Sequence, residues 1–215
     1  MSDVPLPADL EAEPAVAAVL FGDRIDAARS YTNSLARHGE ELGLVGPQEY
    51  PRLWTRHVVN SALLAPLLRA GGQVGDIGSG AGLPGIPLAI ARPDVRFTLI
   101  EPMERRTDWL QRQVDELGLE NVEVVRARAE DVHERFAFDQ LTARAVSAFS
   151  KLVPLTVPLL KDGGELVLLK GRSAEAEIEK AAKVIRRFHL VDVRVEELGE
   201  GLDTEPTRVI RATAD

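Results

Sequence analysis

The stretch Val74-Gly75-Asp76-Ile77-Gly78-Ser79-Gly80-Ala81-Gly82-Leu83-Pro84-Gly85 fixes how the rest of the chain reads. It closes a short apolar run and opens a helix-length segment, so it stands at a strand–loop–helix junction. Glycines at such a junction let the chain turn tightly and let a ligand approach the backbone without meeting a β-carbon. Two ligands compete for the loop. Gly80-x-Gly82-x-x-Gly85 satisfies the dinucleotide pattern GxGxxG, whereas Asp76 extends it to D-x-G-x-G-x-G. A carboxylate at position 76 repels a pyrophosphate and suits the cationic amino-acid part of S-adenosylmethionine. Glu101 ends the next apolar run, 21 residues after Gly80. An acid there accepts hydrogen bonds from both ribose hydroxyls, a requirement that NAD and S-adenosylmethionine share. After the third run, Ala129-Glu130-Asp131 offers a polar edge for an adenine amino group.

Outward from this loop, short apolar runs at 73–77, 96–100, 122–127, 140–145 and 165–170 alternate with helical patterns near 84–91, 105–117, 151–160 and 174–187. Runs that are apolar throughout belong to parallel strands covered on both faces. The last segments, 189–195 and 208–213, read as a closing pair of strands. The expected fold is therefore α/β, a doubly wound, mostly parallel seven-stranded sheet of Rossmann-like type. Before it, residues 14–70 form a helical N-terminal extension. Ile25, Ala28, Thr32 and Leu35 recur there at helical spacing, and a second helical stretch runs over 52–68 up to the breaker Gly71-Gly72. Residues 1–13, acidic and proline-containing, read as a loose tail, and 71–215 as the catalytic domain.

Composition excludes several classes. Cysteine is absent, which removes disulfides, thiolate metal sites and cysteine nucleophiles. His38, His57, His133 and His189 have no metal-ligand spacing, so no metal is expected. The start of the chain has no secretory pattern and no apolar run is long enough for a membrane, giving a cytoplasmic expectation. A net charge of −8 argues against loose, charge-driven nucleic-acid binding, including DNA. The charge is uneven, however: residues 1–50 hold nine acids and three arginines, leaving 25 acids against 23 bases in 51–215. A local basic face is compatible with that balance.

The chain resembles the bacterial small-subunit ribosomal RNA methyltransferase G family, also called glucose-inhibited division protein B. The resemblance spans about residues 15–212. Its carriers are Arg56-His57-Val58-Val59-Asn60-Ser61, the loop from Asp76 through Gly85-Ile86-Pro87-Leu88, and Arg105-Arg106 leading to Leu110. Leu119-Glu120-Asn121-Val122, Thr142-Ala143-Arg144-Ala145 and Leu169-Lys170-Gly171 complete the set. The resemblance implies a class I methyltransferase that uses S-adenosylmethionine to methylate N7 of a guanine in the 530 loop of 16S rRNA, free or within the 30S subunit. It places the cofactor against Gly78, Leu83, Ala129, Glu130 and Arg144, to which the loop reading adds Asp76, Gly80, Gly82 and Glu101. Two departures lie in the extension. Gly43-Leu44-Val45 stands where the family often has Asn-Leu-Thr, and Asn60 where it often has Asp.

Guanine N7 carries an in-plane lone pair and no proton. Its methylation needs alignment and no general base, so no catalytic acid or base is expected. Arg144, at the end of the fourth strand, is a candidate for the cofactor or for guanine O6; the alternative is an ion pair with Glu130 or Asp131. Lys170, Arg172, Arg56 and His57 are candidates for the RNA, with a solvated loop or a carboxylate partner for His57 as the competing readings. Trp109, Leu110, Val114 and Leu117 form a stripe of core packing. Two other functions share parts of the pattern: a methyltransferase for a small molecule or protein, which the acidic composition favours, and an NAD-dependent oxidoreductase. The latter lacks a partner for hydride transfer, since Tyr31 and Tyr50 both precede the sheet. A monomer is the favoured state.

Overall fold

The computed structural model describes residues 4–144, 146–202, 204 and 206–215. Seven strands form one sheet: β1 (Gln73–Ile77), β2 (Arg96–Ile100), β3 (Val122–Val125), β4 (Phe138–Arg144), β5 (Leu160–Lys170), β6 (Leu190–Leu198) and β7 (Thr207–Ala214). Their order is β3-β2-β1-β4-β5-β7-β6. The pairs among β1 to β5 are all parallel, and β7 runs antiparallel to both β5 and β6. The expected doubly wound sheet is thus present. Ala145, the expected last residue of the fourth strand, lies outside the described residues.

The order reverses between β1 and β4. A crevice opens at such a point because the connections leave in opposite directions above the carboxyl ends of the strands. Alternating residues of each strand feed two cores. Leu166 and Leu168 of β5 join one hydrophobic cluster, while Val167 and Leu169 join the other.

Eight α-helices are described: α1 (Ala15–Phe21), α2 (Ile25–His38), α3 (Asn60–Ala62), α4 (Gly85–Ala91), α5 (Glu104–Leu117), α6 (Phe149–Thr156), α7 (Ala174–Lys180) and α8 (Ala182–Arg187). Helices α4 and α5 cover one face of the sheet and α6 to α8 the other. The stripe on α5 is core, with Trp109 and Leu110 essentially unexposed. The helix ends at Gly118 in the left-handed region, whose amide caps the carbonyls of Val114 and Asp115. The segment expected as one helix over 174–187 breaks at Ala181, dividing the acidic turn from the basic one.

The second helical stretch of the extension is less regular than its apolar period suggests. Pro47–Arg52 is a 3₁₀ turn, and Leu53–Val59 winds as a π-helix before α3 begins. Pro51, inside that 3₁₀ turn, supplies no amide donor to the helical ladder.

The extension is not a body apart from the sheet. Tyr31, Leu35, Leu53, Trp54 and Val58 share one continuous cluster with Ile86 and Leu88 of α4 and Trp109 of α5. The acidic start is also more tightly tied than a loose tail. The Glu11 amide donates to the Tyr50 carbonyl at 2.9 Å, its carboxylate accepts the Thr55 amide at 3.0 Å, and Glu13 pairs with Arg29. Acids of the expected tail therefore cap backbone and balance a cation, a use that composition alone does not reveal.

Candidate active site

Above the β1/β4 reversal lies a cavity of about 750 Å³. The glycine loop forms its floor through Gly78, Ser79, Gly80 and Ala81, and Glu101 to Met103 after β2 form one wall. Ala127 to Glu130 line a second wall, and Arg144 and Val146 close the β4 side. Leu44, Val45, Glu49, Arg56 and His57 reach in from the extension. A separate cleft of about 840 Å³ lies at the other end of the sheet, beside Gln73 and Arg96, far from the glycine loop.

Glu101 is 2 % exposed, yet it borders the cavity. One carboxylate oxygen accepts the Gly80 amide at 2.9 Å and the other accepts the Met103 amide at 3.1 Å. Each oxygen retains a second lone pair, so the group is held rigidly and still accepts from a ligand diol. Gly80 has φ +56°, and a β-carbon there would meet only the Gly78 carbonyl oxygen, at 3.7 Å. A side chain at this position is strained by its backbone.

Asp76 behaves differently from its expected role. Its carboxylate is fully buried under the loop and is not part of the cavity wall. Thr142 Oγ1 donates to it at 3.1 Å and the Gly85 amide at 3.2 Å. A β-carbon on Gly85 would stand 2.7 Å from that carboxylate and 2.3 Å from Leu99. Asp76 and Gly85 thus lock the start of α4 onto β1, instead of meeting a ligand's amine. Burial, with Glu101 adding repulsion, raises the Asp76 pKa to about 6. Gly82 likewise packs toward Ile86 and Leu110 and does not line the cavity.

Two further residues, Tyr31 and the Trp109 expected only as core packing, brace the same loop. Tyr31 of α2 donates its hydroxyl to the Ala81 carbonyl at 3.0 Å, and Trp109 of α5 donates Nε1–H to that carbonyl at 2.8 Å. Both are buried. No local pattern predicts this convergence, because Tyr31 lies 50 positions from Ala81.

Arg144 forms no ion pair with Glu130 or Asp131 among the described residues. Its guanidinium donates to the Arg56 carbonyl at 3.1 Å, to the His57 carbonyl at 3.4 Å and to His57 Nδ1 at 2.8 Å. Burial lowers its pKa to about 10, so it remains cationic at neutral pH. His57 Nε2 sits 2.6 Å from Glu49 Oε2, and Arg52 holds the other Glu49 oxygen at 2.6 Å. His57 therefore has the carboxylate partner foreseen as its competing reading.

Lys170 and Arg172 stand outside the cavity. The Lys170 ammonium pairs with Glu177 at 2.9 Å and donates to the Ser147 carbonyl at 2.8 Å, while Arg172 is exposed. Leu44 and Val45 do border the cavity, so the Gly43-Leu44-Val45 departure touches the site itself and is not confined to remote contacts. Asn60 does not border it.

Known proteins of this kind are plentiful. The model of the family described as rRNA small subunit methyltransferase G matches residues 24–206. A relative from Clavibacter michiganensis named ribosomal RNA small subunit methyltransferase G is 66% identical over 209 residues, covering 97% of this chain and 99% of its own. Its namesake in Mycolicibacterium smegmatis is 49% identical, covering 94% of this chain and 86% of its own. Among solved structures, the tRNA (m1A58) methyltransferase of Aquifex aeolicus superposes with a TM-score of 0.56 at 14% identity, over 73% of this chain and 68% of its own. TYW2 of M. jannaschii, solved in complex with AdoMet, gives 0.56 at 19% over 74% and 76%. At such identities these two speak for the fold alone, the class I methyltransferase sheet. A family model covering most of the chain and relatives aligned nearly end to end leave one conclusion: this chain belongs to the rRNA small subunit methyltransferase G family.

Proposed function

We propose that the protein transfers a methyl group from S-adenosylmethionine to N7 of a guanine in the 530 loop of 16S rRNA, acting in the cytoplasm on the RNA or the 30S subunit. The observation that carries this reading is a single cavity joining the Gly80–Glu101 loop, suited to a ribose and its adjoining chain, to the cationic Arg144. The residues fit the cofactor. Glu101 has acceptors left for the ribose hydroxyls, Gly80 leaves room for close approach, and Ala129-Glu130 on the second wall offer an edge to an adenine, while the missing β-carbon of Gly78 makes room for Val146. S-adenosylmethionine, when bound, supplies a methyl group already activated on a sulfonium.

What remains for the chain is alignment. Holding acceptor and donor in line is worth roughly 7–11 kcal/mol of barrier, with no proton to move from N7. In this reading Arg144 donates to guanine O6, leaving N7 free, and Arg56, Arg106 and Arg128, which also line the cavity, meet flanking phosphates. The lining sets these four arginines against Glu49, Glu101 and Glu130, a slight cationic excess in an acidic protein. A dinucleotide oxidoreductase is disfavoured: among the described residues neither tyrosine borders the cavity, and both hydroxyls are engaged within the protein.

The reading is tested by incubating 16S rRNA with enzyme and S-adenosylmethionine, then reducing the RNA and cleaving it with aniline. A new break at one guanine of the 530 loop is the expected result. An uncleaved loop, with cofactor bound, would move the acceptor to another class.

A further inference from the structure

Arg144 is a half-buried cation of the cavity, and among the described residues its hydrogen-bond partners all come from the extension. Two are backbone carbonyls, those of Arg56 and His57, in the π-helical turn Leu53–Val59. A π-turn widens the helix and leaves carbonyls that a neighbouring donor can reach. The third is His57 Nδ1, at 2.8 Å. Since a guanidinium only donates, Nδ1 must accept, and the imidazole proton therefore resides on Nε2, where Glu49 receives it at 2.6 Å. The tautomer is fixed from both sides: Glu49 accepts from His57, and His57 accepts from Arg144.

The charges in this chain of contacts are distributed unequally. Glu49 is compensated by Arg52 at 2.6 Å and by Arg56 at 3.6 Å. Arg144, by contrast, is held by a neutral ring and two carbonyls. A carboxylate in place of His57 would hold the guanidinium equally well but would cancel its charge toward the cavity. Neutral imidazole orients it and leaves it cationic.

We propose that His57, oriented by Glu49, is a positioning residue that aims the Arg144 guanidinium at the acceptor guanine, so that the N-terminal extension completes the acceptor half of the site. This rests on the guanine-methylating reading above. The environment favours the neutral ring: burial first, then Arg144, lowers the His57 pKa to about 4, against the opposing pull of Glu49. The charged groups facing the ring are Glu49 and Arg56 from the extension and Arg144 from β4.

Two variants and a spectrum test it. His57→Phe keeps ring volume and removes the acceptor. His57→Asn restores an acceptor oxygen close to the place of Nδ1. The expected result is a loss of tenfold or more in kcat/KM for 30S subunits in His57→Phe, with S-adenosylmethionine affinity by calorimetry within about twofold of wild type. His57→Asn should regain most of that loss. Equal impairment of the two variants, or full activity in His57→Phe, would overturn the proposal. The ¹⁵N spectrum of wild-type protein at neutral pH gives a readout free of activity and of variant folding. A protonated Nε2 and an unprotonated, hydrogen-bonded Nδ1 are expected for His57, and a protonated Nδ1 would contradict the assignment. If wild-type protein shows that tautomer yet methylates no 30S subunit, the functional reading fails while the orienting contact stands.

Discussion

Glu101 and Asp76 are two acids in one motif region with opposite duties. Glu101 borders the cavity and holds two loop amides, so its replacement removes a brace and, in the proposed reading, the ribose contact. Glu101→Ala is expected to weaken S-adenosylmethionine by roughly 1–3 kcal/mol, the range for lost charge-assisted hydrogen bonds. Calorimetry measures it, and an unchanged dissociation constant would remove Glu101 from the ribose subsite. Asp76 is a matter of stability. Its pKa rises from 3.8 to about 6 on folding, so the folded state favours the protonated acid. That contribution is fully present below pH 3.8 and is lost as pH rises through about 6. Above that, the buried carboxylate costs up to ~3 kcal/mol, since each tenfold change in acidity is worth ~1.4 kcal/mol. Asp76→Asn keeps an acceptor for Gly85 without the charge, so urea unfolding at pH 8 is expected to show a stabler protein. His57 works in the opposite sense over nearby pH. With its pKa lowered from 6.5 to about 4, its stability contribution is present above 6.5 and lost as pH falls toward 4.

At the scale of elements, α2 and α5 meet on one carbonyl of the glycine loop. Tyr31→Phe removes a buried hydroxyl whose partner, the Ala81 oxygen, keeps the Trp109 donor. The expected cost is about 1 kcal/mol of stability with a several-fold loss of cofactor affinity, since a neutral hydrogen bond contributes about that much net. Denaturant titration and calorimetry on the same variant separate the two effects; affinity equal to wild type would show that α2 does not brace the loop. Legibility in the sequence followed the same division. Parallel strands, α4 and α5 were readable because apolar runs, glycine punctuation and helical stripes are local signals. The π-turn at Leu53–Val59 and the break at Ala181 were not, because both preserve the apolar spacing of an ordinary helix.

For the whole molecule, the sequence separates a tail, an extension and a catalytic domain, whereas packing joins them. The extension shares a hydrophobic cluster with α4 and α5, and it contributes Glu49, Arg56 and His57 to the cavity. Sequence spacing cannot reveal this, since contacts such as His57 with Arg144 span 87 positions. The candidate site was therefore half legible. Gly78, Gly80, Leu83, Glu101, Ala129, Glu130 and Arg144 border one cavity, together with Arg56 and His57. Asp76 and Gly82 support the loop from beneath, and Lys170 is engaged with Glu177 outside. Motif spacing reports that these residues sit near the loop, but not which way each side chain turns.

The most direct measurement is transfer of labelled methyl from S-adenosylmethionine to 30S subunits that lack the 530-loop modification, alongside subunits that carry it. Label at guanine N7 in the unmodified particles alone is the expected result. Equal labelling of both particles, or none in either while the cofactor binds, would contradict the assignment of this cavity to that guanine.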